Sequence, residues 1–472
     1  MRGLFNLLYF LKTQWKSSDE IENLQSKKLR RLIRHAFNHV PYYRHLFDSA
    51  GLRPEDIRGT GDLYKIPLTS KKQLQKLTLN EITASGTDLS SCIKTRTSGA
   101  TGVPLEIIFN RTDRSIMNPS FIRVYLAWGL KPWHKLTFFQ ARPGLLKKRS
   151  WYEYLHIFPR QNLSSQDKTE TCINKLLLRR PYLLQGYAMT LKLFAQAVKS
   201  RGIENIHIPL IANTSGMLDH HGRQMLSSVF QAKVIDIYAS EEAGAVIAWE
   251  CPCCSDYHIN TDTLIVEFLK NGKPAGPGEE GEVVITNLHN YSMPFIRYQQ
   301  EDIGILSDKE PSCKRGLPLM KEIRGRSGDY VILPSGNKLT PHHFFMILDD
   351  IADIGEWRLI QKNINEIDVE IAADETFNEN RLEMIRQKLS SIVGGTINIK
   401  ISLVEQIRRD PTQKLRSVVS KVTEKGDRFT ATYTKINLKI FDKTYQEMLS
   451  TSLVRTIPDI KEIENILEKA KD

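Results

Sequence analysis

The stretch Lys233-Val234-Ile235-Asp236-Ile237-Tyr238-Ala239-Ser240-Glu241-Glu242-Ala243-Gly244 decides the fold. Its first half is a β-branched run of strand length, and its second half is small, hydroxylated and acidic, as a turn would be. A buried strand that ends in polar groups is the element at whose carboxyl end α/β sheets form their ligand crevice. Glu241 and Glu242 at that point suit a magnesium ion beside phosphates. They equally suit the first turn of a solvated helix.

Outward from this stretch the chain alternates β-rich and helical runs from about residue 92 to 330, which predicts mixed α/β architecture. Strands are expected at Leu105 to Phe109, Leu136 to Gln140, Val234 to Tyr238, Leu264 to Phe268 and Glu282 to Thr286. Ile208 to Ala212 is a further candidate, with Pro209 tolerable only near a strand start. Residues 20 to 50 read as a basic amphipathic helix, a break at Pro41 and a segment that buries Tyr42, Tyr43, Leu46 and Phe47. Gly325, Gly328, Pro334 and Gly336 mark a boundary near Asp329. Beyond it, strands at Trp357 to Lys362, Ile367 to Ala372 and Thr396 to Val404 surround a helix at Phe377 to Val393. The expected organisation is an N-terminal helical region (1–90) and a core (91–329) of one large domain, a small domain (330–436) and a helical extension (437–472).

The length of 472 residues fits two to four units and excludes a lone small binding module. Hydrophobic content of 41% with 25% charged residues is ordinary for a soluble globular protein. No stretch has the roughly 18 uninterrupted apolar residues of a spanning helix, and Leu4 to Leu11 lacks the cleavage site of a signal peptide. Six cysteines are too few for a disulfide framework, which points to a reducing cytoplasm. The net charge of +12 is spread along the chain, so nucleic acid is not the expected partner. Its densest run, Lys27 to Arg34, fits a solvated helix face, or a peripheral contact with an anionic membrane surface.

Four more segments carry candidate chemistry. Thr97-Ser98-Gly99-Ala100-Thr101-Gly102-Val103-Pro104 combines glycines and hydroxyls in a loop whose N–H groups can approach phosphate. It lacks the Gly-Lys-Ser/Thr ending of a P-loop and precedes a strand; an ordinary turn has the same composition. In Arg297-Tyr298-Gln299-Gln300-Glu301-Asp302-Ile303-Gly304 the Asp302 carboxylate suits two ribose hydroxyls, and turn chemistry also accounts for it. Ile323-Arg324-Gly325-Arg326-Ser327-Gly328-Asp329 has the glycines of a hinge or of a linker turn. Arg408 to Arg416 contains Lys414 on a polar turn, where a solvated lysine is the ordinary expectation. Separately, Cys251-x2-Cys254-x3-His258 with Cys313 downstream suits tetrahedral zinc, with Cys253 as an alternative ligand to Cys254; free buried thiols are the competing account.

Taken in this order, these segments resemble the adenylate-forming enzymes, the acyl- and aryl-CoA ligases. The likeness is closest to the phenylacetate–CoA ligase-like branch that includes the CapK type of capsular polysaccharide gene clusters. It begins at Val40-Pro41-Tyr42-Tyr43-Arg44 and Ile66-Pro67-Leu68-Thr69-Ser70-Lys71 and runs to about Val419. The resemblance implies an α/β fold with a large multi-sheet N-terminal domain and a smaller mobile α+β C-terminal domain. It implies that Thr97, Ser98, Gly99, Thr101 and Gly102 grip phosphate, that Ser215 and Gly216 lie by the adenine and acyl pocket, and that Tyr238 flanks adenine. Glu242 matches the magnesium-binding glutamate, Asp302 and Arg326 the ribose contacts, Asp329 the hinge and Lys414 the cation that bridges carboxylate and phosphate, with Lys421 as its alternative. Thr101, Glu242 and Lys414 would be catalytic. Ala239, Glu301 and Gln413 stand where the family pattern has glycine. Some members of the branch carry a metal site in the region of Cys251, Cys254, His258 and Cys313.

The implied activity joins a small carboxylic acid to AMP from ATP with magnesium, then passes the acyl group to a thiol, usually that of coenzyme A. Transfer to an amine or hydroxyl of a sugar, and a lapsed nucleotide-binding scaffold, are the alternatives.

Overall fold

Ser17 opens the first long helix by a device legible in the chain. Its hydroxyl accepts from the Glu20 N–H (3.3 Å) while the Glu20 carboxylate accepts from the Ser17 N–H (3.0 Å), a capping box. The computed structural model describes residues 2–97, 104–140, 151–164, 167–216, 218–326, 330–339, 341–348, 354–373, 377–378, 380–405, 407 and 417–422. By internal contacts the chain divides into Met1–Ser420 and Lys421–Asp472, and every element below belongs to the first unit. Helix α1 is Arg2–Thr13, α2 is Ser18–His39 and α3 is Pro41–Ser49. The α2 face with Ile21, Leu29, Leu32, Ile33 and Ala36 is buried, while Lys27, Arg30, Arg31 and Arg34 are exposed. Pro41 takes the first position of α3, where no N–H is needed.

Short helices α4 (Lys71–Leu74) and α5 (Leu79–Ile82) lead to a hairpin of β1 (Ile93–Arg96) and β2 (Glu106–Phe109), followed by α6 (Met117–Ala127). The alternating region then runs β3 (Leu136–Gln140), α7 (Trp151–Tyr154), β4 (Arg160–Ser164), α8 (Thr169–Arg179), β5 (Leu183–Gly186), α9 (Ala188–Ser200), β6 (Leu210–Thr214), α10 (His220–Phe230) and β7 (Lys233–Ser240). These strands are mutually parallel, and Pro209 falls just before β6, where its missing N–H is harmless. Leu176, Leu191, Phe194, Val198, Leu226 and Phe230 from α8, α9 and α10 cover Leu184, Ile211 and Val234 of the sheet.

An antiparallel half follows: β8 (Ala245–Glu250), β9 (Tyr257–Ile259), β10 (Leu264–Lys270), β11 (Lys273–Pro274), β12 (Glu280–Asn287), β13 (Tyr298–Leu306) and β14 (Leu319–Arg326). All twelve strands from β3 onward join in the order β11-β10-β12-β13-β14-β9-β8-β7-β6-β5-β3-β4. Beyond it lie β15 (Val331–Ile332), β16 (Lys338–Leu339), α11 (Pro341–Leu348), β17 (Ile354–Asn363), β18 (Glu366–Ala373), α12 (Arg381–Val393), β19 (Asn398–Leu403) and β20 (Val418–Ser420). Here a four-stranded sheet, ordered β19-β18-β17-β20, has its own core of Trp357, Leu359, Val369, Ile371, Ile385 and Leu389.

The large sheet turns sharply at β9. This strand has three residues, and β14 meets it through only Leu319 opposite His258 and Met320 opposite Tyr257. Strands β8, β9 and β14 separate β7 from β13 in the sheet order, a gap of ~19 Å if the sheet were flat at 4.7–4.9 Å per strand. Yet the Tyr238 hydroxyl on β7 donates to Asp302 on β13 at 2.6 Å. The sheet must therefore fold over between β7 and β13, and the short β9, joined to β14 by two residue pairs, is where its pairing is thinnest.

A buried ion pair fastens the N-terminal helices to this sheet. Arg123 of α6 and Asp262 of the β9–β10 turn, both 0% exposed, meet at 2.6 and 3.2 Å. Thr13 of α1 donates to the same carboxylate at 2.6 Å, and Lys28 of α2 donates to the Asp262 carbonyl at 2.8 Å. Burial works against the charge on Asp262, but Arg123 and the two hydroxyl and amino donors hold its carboxyl below the usual range. Removal of either charged partner would leave the other stranded in the interior.

Beneath the ends of β6 and β7 lies a polar network. Asn213 Nδ2 donates both to Asp236 Oδ1 (2.6 Å) and to the Gly216 carbonyl (2.8 Å), while Tyr257 donates to Asp236 Oδ2 at 3.1 Å. Glu250 accepts from the Asp236 N–H (2.9 Å) and is paired with Arg223 at 2.6 Å. Burial, with the Glu250 charge added to it, pushes the Asp236 carboxyl up to about 6. An acid raised in this way binds its proton more tightly folded than unfolded, so its ionisation lowers stability as pH climbs from about 4 to about 6. Asp236→Asn removes that dependence while keeping an acceptor oxygen. Urea unfolding of both proteins should show wild type losing on the order of 2 kcal/mol relative to the variant between pH 4 and pH 7. Parallel curves would show that Asp236 ionises normally.

Candidate active site

The turn Glu241–Gly244 at the end of β7 is held tightly from below. Asn287 Nδ2 donates to the carbonyls of Glu242 (3.1 Å) and Ala243 (2.8 Å). Gly244 has φ +59, and a Cβ there would stand 2.6 Å from the Phe109 ring of β2. The β1–β2 hairpin therefore rests directly on the acidic turn. Leu105, Ile107, Phe109, Ala243, Ile247, Phe295 and Tyr298 share one core, with Tyr238 packed against it. Thus the hairpin, the acidic turn and β13 are three segments over a single apolar floor.

On that floor the polar groups converge. Glu242, partly exposed, accepts from the Tyr298 hydroxyl at 3.2 Å. Its carboxyl is raised chiefly by burial; Tyr298 and the positive charge of Lys71 oppose the shift, and the nearby Asp302 carboxylate adds to it. Asp302 accepts from Tyr238, and its backbone lies opposite that of Arg326 on β14. Glu241 faces elsewhere, in an ion pair with Arg114 at 3.2 Å. A carboxyl whose proton affinity is raised by burial and by a neighbouring carboxylate belongs to a donor set that a divalent cation or a ligand's hydroxyls would relieve.

Thr97 closes the base of the hydroxyl–glycine loop, its N–H donating to the Leu105 carbonyl and its Oγ1 accepting from the Leu105 N–H, both at 3.0 Å. Ser98, Gly99, Thr101 and Gly102 lie outside the described residues, as do Asp329, Gln413 and Lys414. Arg326 is described for its backbone alone. Ser215 and Gly216 form a left-handed turn (φ 63 and 117) directly after β6, whose Thr214 pairs with Ile237. That register sets the turn beside Tyr238, and Asn213 clamps it. Lys421 is exposed, immediately after β20.

Lys71 is a site residue that the sequence reading quoted without assigning it a role. It is 6% exposed, at the start of α4. The preceding Thr69 bonds β13 on both sides, its N–H donating to the Arg297 carbonyl and its own carbonyl accepting from the Gln299 N–H, each at 2.9 Å. This strand-like pairing carries Lys71 to Glu242. A lysine one residue after Ser70 looks like any helix-start cation in sequence.

Two of the glycine replacements are accommodated differently. Glu301 has φ 61, the left-handed region that glycine enters freely, at a cost of about 1 kcal/mol for an L side chain. Its charge acts on Glu282, which accepts from Gln299 at 3.0 Å, and the alternation of β13 points Asp302 the other way. Ala239 sits at a bulge in the β7–β8 pairing and is not left-handed.

At the β9 corner, donor atoms of Cys251, His258 and Cys313 lie within 4.8 Å of one another. Cys313 Sγ is 3.2 Å from His258 Nε2, and His258 Nδ1 is 3.2 Å from the Leu317 carbonyl, which fixes the ring so that Nε2 faces the thiols. Burial drives His258 down to about 4, so it is neutral, as a ligand must be. Cys254 interacts with Cys251 without joining the three; Cys253 is exposed and donates its N–H to Cys251 Sγ at 3.4 Å. The soft donors and the oriented imidazole fit zinc.

Hollows of about 640 and 590 Å³ lie beside α8, the second at the amino ends of β3, β5 and β6. They contain none of the converging carboxylates, and strand direction places the crevice at the opposite end.

Known proteins resemble this chain in sequence and in fold. Residues 331–421 match the CapK C-terminal domain family. The phenylacetate–coenzyme A ligase of Thermus thermophilus is 25% identical over 437 residues, covering 85% of this chain and 96% of the relative. That of Escherichia coli K12 is 27% identical over 341 residues, covering 68% and 74%. Among solved structures, 2-hydroxyisobutyryl-CoA ligase in the postadenylation state, in complex with R3-HIB-AMP, aligns with a TM-score of 0.74 and 18% identity over 91% of this chain and 94% of that one. The same enzyme in the thioesterification state, with 2-HIB-AMP and CoA, aligns at 0.61 and 17% over 90% and 94%. Residues 331–421 thus carry a CapK C-terminal domain, and the chain as a whole shares the fold of an acyl-CoA ligase and is similar in sequence to phenylacetate–coenzyme A ligases over most of its length.

Proposed function

We propose that the chain is an AMP-forming acid–CoA ligase that activates a small carboxylic acid with ATP. The observation that carries this reading is the meeting of Tyr238, Glu242 and Asp302 from strands distant in the sheet, beside the Ser215–Gly216 turn and Lys71. In the first half-reaction an oxygen of the acid bonds to the α-phosphorus while the bond to the pyrophosphate oxygen breaks. In the second, a deprotonated thiol sulfur bonds to the acyl carbon and AMP leaves with the electron pair. Asp302, oriented by Tyr238, is suited to ribose hydroxyls, with Arg326 opposite it. Tyr238 itself would flank the adenine and the 97–102 loop would grip phosphate. Magnesium held at Glu242 supplies charge neutralisation where one anion attacks another. Lys71 adds fixed positive charge at the same place, and Lys414 is assigned the bridge between carboxylate and phosphate, swung in by rotation about Asp329.

The likeness to coenzyme A ligases supports a thioester product, and the CapK domain supports a place in surface-polysaccharide assembly. That second point also favours an amine or sugar hydroxyl as an alternative acceptor. Six free cysteines suit the cytoplasm. Pyrophosphate release from ATP should require an added carboxylic acid from a panel of aryl, acyl and hydroxy acids. Coenzyme A should raise turnover and yield the thioester. Glu242→Gln and Asp302→Asn should each lower kcat/KM about 100-fold with the melting temperature kept. ATP binding without acid-dependent release for any acid would instead mark a scaffold.

Cys251, His258 and Cys313, with Cys254 as fourth ligand, are proposed to hold one structural zinc that clips β8, β9 and the β13–β14 loop. Elemental analysis should find about one zinc per chain, and its removal by chelation should lower the melting temperature by several degrees. Zinc-free protein of unchanged stability would refute the clip.

A further inference from the structure

Helix α1 is amphipathic the wrong way round for a helix that only serves the core. Its inner face is secured: Phe10 is fully buried and lies under the Arg123 guanidinium, Thr13 donates to Asp262, and Asn6 donates to Ser115 at 2.9 Å. Its outer face carries Leu4, Phe5 and Leu8, exposed to 53, 69 and 55%, with Trp15 one turn beyond at 54%. At about 100° per residue, Leu4, Leu8, Phe5 and Lys12 fall within a roughly 100° arc, and Trp15 continues it. Large apolar side chains so grouped on a monomer's surface mark a place where something docks.

The surrounding charge says what. Residues 2 to 18 contain Arg2, Lys12 and Lys16 and no acid. Arg2 bonds Thr112, which places exposed Arg111 beside the amino end of α1. At the other end Arg315 stacks 4.8 Å from the Trp15 ring, and its neighbour Lys314 is exposed. Of the carboxylates nearest these cations in sequence, Glu20 pairs with Lys16 and Asp113 is 7% exposed; Asp19 and Glu310 are exposed, so the cations Arg2, Lys12, Arg111, Lys314 and Arg315 still outnumber the exposed acids beside them. Apolar residues in a stripe, an aromatic at one end and cations at both make up an interfacial helix, which lies in the headgroup layer of an anionic membrane. No helix of the described residues is long and apolar enough to cross a membrane, and α1, at about 18 Å, would lie flat.

We propose that α1 docks the protein onto an anionic phospholipid surface, with Leu4, Phe5, Leu8 and Trp15 in the acyl boundary and Arg2, Lys12, Arg111, Lys314 and Arg315 at the headgroups. A second copy of the chain is a poorer occupant, because an isologous contact would press these cations against themselves. The inference does not depend on the ligase activity, since none of these residues touches the candidate site.

Co-sedimentation of the full chain with large unilamellar vesicles tests it. Binding is expected to vesicles with about one-third phosphatidylglycerol in phosphatidylcholine, to weaken as salt rises, and to be slight with phosphatidylcholine alone. Phe5→Glu with Leu8→Glu should reduce the partition coefficient at least about tenfold at an unchanged melting temperature. If that pair unfolds the chain, Lys12→Glu, which leaves the apolar stripe intact, should still weaken binding severalfold. Failure of the wild type to sediment with anionic vesicles would overturn the proposal, as would binding indifferent to these substitutions. A wild-type dimer by light scattering that the double variant makes monomeric would overturn it in favour of self-association.

Discussion

A twelve-stranded sheet that turns a corner on a three-residue strand is the constraint from which the site follows. Laid flat, the sheet would keep Tyr238 and Asp302 four strand spacings apart, and no side chain spans that distance. The bend at β9 closes the gap to one hydrogen bond. The Cys251, His258 and Cys313 group occupies that bend, drawing on the end of β8, on β9 and on the loop before β14. So the group that fits zinc sits where loosening would separate the two halves of the ligand crevice. The Asp236 network plays the corresponding part beneath the parallel half, where Asn213 ties the Ser215–Gly216 turn to β7.

The parts of the fold legible in sequence were those with local signals. The β-branched run before Tyr238 is a strand, Leu136–Gln140 appears with the expected bounds, and the helix and three strands of the small domain fall within a few residues of their expected places. Strands such as β13, with Gln299, Gln300, Glu301 and Asp302 in succession, carry no apolar alternation. They become strands because β12 and β14 offer hydrogen-bond partners on either side. Such pairing depends on residues far away in the chain.

The site divides in the same manner. Glu242, Asp302 and Tyr238 belong to recognisable motifs, and the structure brings those three together. Lys71, Tyr298, Asn213 and Asp236 matter because of what approaches them in three dimensions; Lys71, Tyr298 and Asp236 stand in segments the sequence singles out, but nothing beside them in the chain points to those partners. Glu301 shows the converse: its backbone is left-handed, the conformation that glycine enters freely, and it holds that conformation with a glutamate in place. The buried Arg123–Asp262 pair was equally invisible, since 139 residues separate its partners, yet it anchors α1 and so leaves the apolar outer face of that helix turned to solvent.

Everything said of the chemistry requires that one nucleotide occupy the crevice at the folded corner of the sheet. A crystal structure of the protein soaked with a non-hydrolysable ATP analogue and magnesium addresses this most directly. The nucleotide should contact Tyr238, Glu242 and Asp302 together, with its ribose against Asp302 and its phosphates toward the 97–102 loop. Density for the nucleotide at the amino ends of the parallel strands, or a crevice in which those three side chains face different ligands, would contradict the account.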